Sequence, residues 1–289
     1  MTAKLVVIAS YPRSGNTWTR LVLDHVCRRA TAPISINDID NGFYNLRRMI
    51  FDGFAPIDAA SLSAAEIDRY WPDVLRGFAA TQPDTSPLII KTHETARRTD
   101  LGDWLYPPEI VQGVIHLVRH PFDVAASYAP HLGWTIDRTI RAMLDSGHQL
   151  DRGTDRMHMA TAERVGSWAG HAASWTADDL PWPVISLRYE DLRADPIAGF
   201  TRAAAVAGLA DDAGLIARAV DFSRFDRLQA EEREAGFRER PAASPAFFRA
   251  GRSGIGWQDA DPALLRELAD RSAEMMQRFG YRADGGWEG

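Results

Sequence analysis

Four short runs of apolar residues recur along the chain, and stretches with helical spacing separate them. The runs cover residues 5–9, 88–91, 114–118 and 184–187. Continuous apolar runs of this length are typical of strands that are buried on both faces, as in a parallel sheet with helical crossovers. The pattern therefore predicts an α/β fold of three layers, with a central parallel sheet flanked by helices.

Helices between the runs are predicted by apolar residues spaced three and four positions apart. Two Asp-Pro pairs each supply a capping residue and a first helical position, so they predict helices that begin at Pro196 and at Pro262. We expect the former to stop near Gly208. The latter is expected to continue as one helix to just before Gly280.

Composition places the chain among ordinary soluble proteins with a sizeable core. It has 289 residues, of which 45% are hydrophobic and 25% are charged. No linker, low-complexity tract or internal repeat divides it, so residues 1–289 are predicted to form a single domain. The formal net charge of −6 argues against a general binder of nucleic acids or anionic membranes. Any anion site must therefore be a local cluster of Arg and Lys.

The cysteine content and the first residues bear on the cellular compartment. Cys27 is the only cysteine, which excludes an internal disulfide and is compatible with a reducing environment. The first apolar run is too short for a signal peptide or a membrane span and is better explained as a strand. We therefore expect a cytoplasmic protein without a membrane partner.

The most informative motif follows the first apolar run. Residues 10–18 read Ser-Tyr-Pro-Arg-Ser-Gly-Asn-Thr-Trp and open a helix. The N–H groups and the positive dipole end at a helix start bind phosphate-like anions. Gly15 lets the backbone approach a ligand closely, Arg13 adds a permanent charge, and Thr17 offers a hydroxyl. The pattern Gly-x-x-x-x-Gly-Lys-[Ser/Thr] is absent, which disfavours a magnesium-dependent nucleoside-triphosphate site.

This motif resembles the phosphosulfate-binding loop Tyr-Pro-Lys-Ser-Gly-Thr-Thr-Trp of the cytosolic-type sulfotransferases, which use 3′-phosphoadenosine 5′-phosphosulfate (PAPS). Four further segments resemble motifs of the same family, in the same order. They are Lys-Thr-His at 91–93, Arg-His-Pro-Phe-Asp-Val-Ala-Ala-Ser-Tyr at 119–128, Arg-Tyr-Glu-Asp-Leu at 188–192 and Arg-Ala-Gly-Arg-Ser-Gly-Ile-Gly-Trp at 249–257. Together the five segments make the chain similar to this family over most of its length.

The resemblance implies a P-loop-like domain that binds PAPS and releases adenosine 3′,5′-bisphosphate (PAP). Four of the segments follow predicted strands, and the carboxyl ends of parallel strands meet at one edge of a sheet. The donor-binding residues that the resemblance implies are Arg13, Ser14, Gly15, Asn16, Thr17, Trp18, Arg119, Ser127, Tyr189, Ser223, Phe225, Leu228, Arg249, Ala250 and Gly251. The histidines show no spacing typical of metal ligands, so no metal is expected.

The implied reaction is transfer of a sulfuryl group from PAPS to a hydroxyl or phenol of a small-molecule acceptor, which gives PAP and a sulfate ester. The resemblance assigns His93 as the general base, and an ordinary histidine pKa of about 6.5 suits this task near neutral pH. Lys91 and Arg13 would stabilise the transferring group and the leaving phosphate.

The chain departs from the family pattern at several of these positions. Arg13 replaces the usual lysine; it keeps the charge but cannot release a proton. Asn16 replaces threonine and is expected to keep a side-chain donor for the oxygens of PAPS. Ala250 replaces a basic residue, and the late motif contains one residue more than the family pattern after Gly251.

Acceptor-site insertions are expected near residues 33–87, 129–162 and 229–248, which match no family motif. The side chains of interest in the first two segments are Phe43, Tyr44, Phe51, Phe54, Trp71, Trp134, Met143, His148, Met157, His158 and Met159. Aromatic and methionine side chains suit an apolar or aromatic acceptor, and they suit a helical core equally well. A bacterial enzyme of natural-product tailoring and a homodimer are further expectations at the level of the family.

Two alternative functions stay open at this point. One is a nucleotide-dependent enzyme of phosphoryl transfer, which would need magnesium and residues to hold it. The other is a non-catalytic protein that binds PAP or another nucleotide. Lys91 and His93 disfavour the second alternative, because binding alone needs neither a base nor a charge at the leaving oxygen.

Overall fold

A four-stranded parallel sheet lies at the centre of the fold. The computed structural model describes residues 3–39, 48–83, 87–150, 161–209, 212–249, 251, 253–254 and 256–288. The strands are β1 (Leu5–Ser10), β2 (Leu88–Thr92), β3 (Val111–Val118), β4 (Gln149–Leu150), β5 (Glu163–Arg164) and β6 (Val184–Arg188). The sheet has the order β2-β1-β3-β6 with every pairing parallel, while β4 and β5 form a separate antiparallel pair. All four apolar runs are strands, as predicted.

Helices cover both faces of the sheet, which confirms the three-layer arrangement. They are α1 (Asn16–Cys27), α2 (Arg48–Phe54), α3 (Ala64–Thr81), α4 (Pro121–Leu132), α5 (Ile136–Leu144), α6 (Trp168–Ser174), α7 (Tyr189–Ala194), α8 (Pro196–Val206), α9 (Ala213–Phe222), α10 (Phe225–Ala235), α11 (Pro262–Arg271) and α12 (Ala273–Arg278). Because successive residues of a strand point to opposite faces, Val6 and Ile8 pack with α1, α8 and α9, whereas Leu5 and Val7 pack with α2 and α3. In the described part of the chain, no helix combines the length and apolarity needed to span a bilayer.

The two Asp-Pro pairs begin helices where the sequence predicts them. Asp195 accepts a hydrogen bond from the backbone N–H of Ala198 at 3.0 Å, and Asp261 accepts one from Ala263 at 2.8 Å. The prediction of one helix from Pro262 to Gly280 is wrong. Ser272, with φ −107° and ψ 3°, ends α11, and α12 begins at the next residue.

The position of β1 determines where a ligand can bind. Strand β1 lies between β2 and β3, so the connections that leave β1 and β3 run in opposite directions across the sheet. In open α/β sheets the ligand crevice lies beyond the carboxyl ends of two such strands. The loops that follow β1 and β3 contact each other there, where Arg119 Nη1 donates to the carbonyl oxygen of Arg13 at 3.1 Å.

A buried pair of histidines makes the stability of the fold depend on pH. His116 of β3 is 1% exposed, and its ring centroid lies 5.9 Å from that of His171. Burial lowers the pKa of His116 to about 3 and that of His171 well below its ordinary value. Both rings are neutral in the folded protein, whereas the unfolded chain takes up protons below about pH 6.5. Protonation of these two histidines in the unfolded chain therefore lowers the free energy of unfolding as the pH falls below that value.

Replacing His116 by Asn tests this pH dependence. Between about pH 7.5 and about pH 5.5, the free energy of unfolding of the unmodified protein should fall by about 1 kcal/mol more than that of the variant, because the variant has one buried imidazole fewer. Urea titrations of both proteins at the two pH values measure the difference. Parallel pH dependence of the two proteins would contradict the assignment.

Candidate active site

A cavity of about 390 Å³ lies at the carboxyl edge of the sheet, with walls from the segments at the ends of β1, β2, β3 and β6 and from described residues between Ser223 and Gly256. The predicted site residues that line it are Arg13, Gly15, Asn16, Thr17, Trp18, Lys91, His93, Arg119, Ser127, Tyr189, Ser223, Phe225, Leu228, Arg249 and Gly251. Ser14 is fully buried and does not line the cavity, and Ala250 lies outside the described residues. The topology thus joins motifs that are far apart in the sequence.

The N-terminal end of α1 forms one wall of the cavity. Gly15 precedes this helix with φ 102°, and no side chain caps the helix there. A Cβ atom at Gly15 would lie 3.0 Å from Cδ2 of Tyr189, so the turn and the close approach both require glycine. The first N–H groups of a helix have no partner within the helix. This helix end is therefore suited to bind an anion.

Arg13 connects the first loop with two other walls of the cavity. Its Nε donates to Ser127 Oγ at 3.1 Å, and its Nη2 donates to the carbonyl oxygen of Phe247 at 2.8 Å. Burial, together with the nearby charges of Arg119 and Arg249, lowers the pKa of Arg13 to about 10. Arg13 still carries its charge at neutral pH, and the closeness of like charges favours an anionic ligand between them.

Asn16 uses its side chain differently from what the sequence predicts. Its Nδ2 donates to the carbonyl oxygen of Ile8 at 3.2 Å and to Ser10 Oγ at 3.1 Å. Both side-chain N–H groups therefore hold the start of α1 against the end of β1. Because these bonds use the amide hydrogens within the protein, donation from Asn16 to PAPS would require one of them to be exchanged, and this donation stays a prediction.

His93 follows β2 and is oriented by the end of β1. Its Nδ1 lies 2.7 Å from the carbonyl oxygen of Ser10, and because a carbonyl only accepts, Nδ1 carries the hydrogen. The lone pair is thus on Nε2, which is what a general base requires. Burial, with smaller contributions from the charges of Lys91 and Arg20, lowers the pKa of His93 to about 3. The ring is therefore neutral at neutral pH, and its pKa is well below the ordinary value of about 6.5 that the sequence suggests.

Carboxylates position the loops of the site through backbone N–H groups. Glu163 of β5 accepts from the N–H of His93 at 3.1 Å. Glu190 accepts from the N–H of His120 at 3.1 Å, and Asp123 accepts from the N–H of Gly254 with both carboxylate oxygens at 2.9 Å. Asp123 and Glu190 lie within recognised motifs, yet the sequence alone assigned them no role.

Aromatic side chains surround the other end of the cavity. The ring centroids of Trp18 and Tyr189 lie 6.3 Å apart, and the guanidinium carbon of Arg119 lies 4.5 Å from the centroid of Tyr189. Gly251 has φ 57°, and a Cβ atom there would lie 2.6 Å from Cδ2 of Phe225. The late glycine motif thus packs directly on the aromatic wall, with Ser223 and Leu228 buried beside it.

The sequence missed several residues of the cavity wall. Arg20, Arg193 and His131 line it, and so do Glu239, Phe247 and Phe248 from the predicted acceptor segment 229–248. Arg20 follows Asn16 by one helical turn, so helical spacing could have indicated it. Phe51, Trp71 and Met143 are core residues instead. Phe43, Tyr44, Met157, His158 and Met159 lie outside the described residues.

The charge around the cavity is strongly positive. The basic side chains among the described lining residues are Arg13, Arg20, Lys91, Arg119, Arg193 and Arg249, and the carboxylates are Asp123 and Glu239. No group of His, Cys, Asp and Glu within the described ranges has an arrangement that could hold a metal ion. The arrangement can therefore bind a multiply charged anion beside a neutral imidazole.

Comparison with known proteins gives sequence relatives over most of the chain. Mouse sulfotransferase 1B1 is 24% identical over 225 residues, which cover 78% of this chain and 65% of the mouse protein. The chain thus spans just under two thirds of that relative's length. Cytosolic sulfotransferase 17 of Arabidopsis thaliana is 24% identical over 293 aligned positions, which cover 95% of this chain and 75% of the plant protein.

Solved structures with the same fold include mouse sulfotransferase SULT7A1 complexed with PAP, at a TM-score of 0.56 and 18% identity over 95% of this chain and 84% of that one. Retinol dehydratase in a complex with retinol and PAP gives a TM-score of 0.61 at 18% identity over 98% of this chain and 84% of that one. The family model described as a sulfotransferase domain matches residues 4–280. This chain therefore belongs to the sulfotransferase domain family.

Proposed function

We propose that this chain is a PAPS-dependent sulfotransferase, which transfers the sulfuryl group of PAPS to a hydroxyl or phenol of a small-molecule acceptor. The observation that carries the proposal is the meeting of a neutral, oriented imidazole with the cationic cavity wall and the uncapped start of α1. Membership of the family supports the same chemistry. PAP is named as bound in the solved structures with this fold.

The proposed donor site has two anion-binding parts. The N–H groups at the start of α1, with Lys91, would bind the phosphosulfate, as helix N-termini bind phosphate groups generally. Arg119, Arg249 and the backbone at Gly251 would bind the 3′-phosphate. Ser127, whose Oγ accepts a hydrogen bond from Arg13 Nε at 3.1 Å, would also contact the 3′-phosphate.

Aromatic residues supply the remaining contacts to the donor. Trp18 and Phe225 would enclose the adenine, because both line the part of the cavity that lies next to Arg249 and Gly251. Tyr189, Ser223 and Leu228 would complete this wall.

In the proposed transfer step, the transferred proton and the negative charge that develops on the phosphate each have an identified side chain beside them. The acceptor oxygen attacks the sulfur of PAPS, its bond to sulfur forms, and the bond from sulfur to the bridging phosphate oxygen breaks. The hydroxyl proton passes to Nε2 of His93, and PAP leaves with the electron pair of the broken bond. Lys91 and Arg13 stabilise the negative charge that develops on the phosphate. The products are PAP and a sulfate ester.

Further features stay predictions that accompany this proposal. They are a single domain over residues 1–289 with an acceptor site built from the inserted segments, residence in the cytoplasm, assembly as a homodimer, and a role in natural-product tailoring. The lining by Phe247 and Phe248 supports an acceptor contribution from the segment 229–248.

The direct test incubates the protein with PAPS and a panel of phenols and alcohols in the presence of a chelator. Formation of PAP and a sulfated product in equal amounts is the expected result. Product under chelation also excludes magnesium-dependent phosphoryl transfer. Tight PAP binding without product from any acceptor would favour the non-catalytic alternative.

Replacing His93 by Asn separates catalysis from binding. The Asn side chain keeps an N–H that can donate to the carbonyl of Ser10, but it has no basic nitrogen. We expect kcat to fall by about 10²- to 10⁴-fold, the usual contribution of a general base, while the Kd for PAP changes by less than about threefold. A variant that keeps substantial turnover would remove His93 from the role of base.

Nuclear magnetic resonance tests the protonation state of His93 in the ligand-free protein. Because burial lowers its pKa to about 3, its ring signals should not titrate between about pH 5 and about pH 8, and its nitrogen shifts should be those of the Nδ1–H tautomer. The His93→Asn variant identifies the signals. A titration midpoint near pH 6.5 would contradict the burial of the ring, and nitrogen shifts of the Nε2–H tautomer would contradict the hydrogen bond to Ser10.

A further inference from the structure

A buried arginine that the proposed transfer step does not use lies in the cavity wall. Arg20 of α1 is 2% exposed and lines the cavity that also contains His93 and Lys91. Its Nη1 donates to Glu239 Oε1 at 2.9 Å and its Nη2 to Glu239 Oε2 at 2.5 Å. The two parallel bonds form the bidentate geometry that guanidinium groups adopt with carboxylates.

The two members of this ion pair differ in their exposure to solvent. Arg20 is in the second turn of α1, and its Nη2 also donates to Thr17 Oγ1 at 3.3 Å. Glu239 lies after the end of α10 outside any helix, and its side chain is 22% exposed. The carboxylate of Glu239 therefore reaches solvent, whereas the guanidinium of Arg20 is buried in the cavity wall.

The energetics of burial restrict what can replace Glu239. A buried guanidinium without a partner is strongly unfavourable, because its desolvation is no longer compensated. A neutral acceptor would either leave the ion pair between Arg20 and Glu239 intact or break it. Breaking it would leave the buried guanidinium without a charged partner. An acceptor carboxylate can take the same two hydrogen bonds, so that Arg20 exchanges one carboxylate for another and stays paired.

The surroundings of Arg20 indicate the rest of the acceptor. Phe247 and Phe248 line the same cavity, and their ring centroids lie 5.1 Å apart. Arg20 is also close enough to His93 for its charge to lower the pKa of that ring. The aromatic ring of such an acceptor would pack against Phe247 and Phe248, its carboxylate would pair with Arg20, and its reactive hydroxyl would lie beside His93.

We propose that Arg20 binds a carboxylate of the acceptor, in the position that the carboxylate of Glu239 occupies in the structure. The acceptor class is then a hydroxyaryl carboxylic acid, with its hydroxyl at His93 and its ring against Phe247 and Phe248. This inference rests on the proposed function and narrows its substrate class. It assigns Arg20 a role in acceptor binding that is separate from the cations expected to hold the donor.

Calorimetric titration of the PAP-bound protein tests the inference without depending on turnover. The probes are 4-hydroxybenzoate, 4-hydroxyphenylacetate and 4-hydroxycinnamate, each compared with its neutral primary amide. We expect at least one acid to bind about tenfold or more tightly than its amide, since hydrogen bonds to charged groups are the stronger class. In the double variant Arg20→Gln with Glu239→Gln, which leaves no buried charge unpaired, this preference should be lost.

Two further variants sharpen the comparison. Glu239→Gln keeps Arg20 but removes the competing carboxylate, so the ratio of acid to amide affinity should rise. Arg238→Gln removes an equal charge from an exposed position that does not line the cavity, and the ratio should stay as in the unmodified protein.

Three results would overturn the inference. Equal or tighter binding of all the amides would show that Arg20 does not receive an acceptor carboxylate. A preference for acids that survives in the double variant would place their binding elsewhere. Loss of PAP affinity in the double variant, in parallel with the acids, would make Arg20 a donor ligand. Failure of the unmodified protein to bind PAP would instead contradict the proposed function itself.

Discussion

The main physical constraint on the site is a concentration of positive charge in the buried cavity at the carboxyl edge of the sheet. Few carboxylates balance this charge. The arginines at positions 13, 119 and 249 are close enough that the last two help to lower the pKa of Arg13 to about 10. Such a cluster of like charges is unfavourable by itself and becomes favourable when an anion lies between them. The rest of the site is built to keep this charge in place.

Carboxylates near the site serve mainly to fix the backbone. Glu163 holds the N–H of His93, Glu190 that of His120, and Asp123 that of Gly254. Glu232 accepts from Phe247 and Phe248, at 2.7 and 2.8 Å. Each of these bonds fixes one loop around the cavity. The basic side chains and N–H groups of these loops are thereby held around the same cavity.

The strands and the convergence of the motifs could be predicted from the sequence, because both depend on local patterns. Apolar runs specify buried strands, and parallel topology brings the residues after β1, β2, β3 and β6 to one edge. The pairing of Asn16 with the end of β1, and of Arg20 with Glu239, could not be predicted. Those contacts depend on the path of loops that have no periodic pattern, and a single amide or guanidinium has many candidate partners in a sequence. The break at Ser272 was missed for a similar reason, since α11 and α12 both present apolar faces and no glycine or proline separates them.

A crystal structure of the complex with PAP tests the central claim most directly. The account predicts the 5′-phosphate at the start of α1 beside Lys91, the 3′-phosphate at Arg119 and Arg249, and Nε2 of His93 facing the open space beyond the 5′-phosphate. A nucleotide bound outside this cavity, or one bound within it with the imidazole of His93 directed away from the phosphate, would contradict the account.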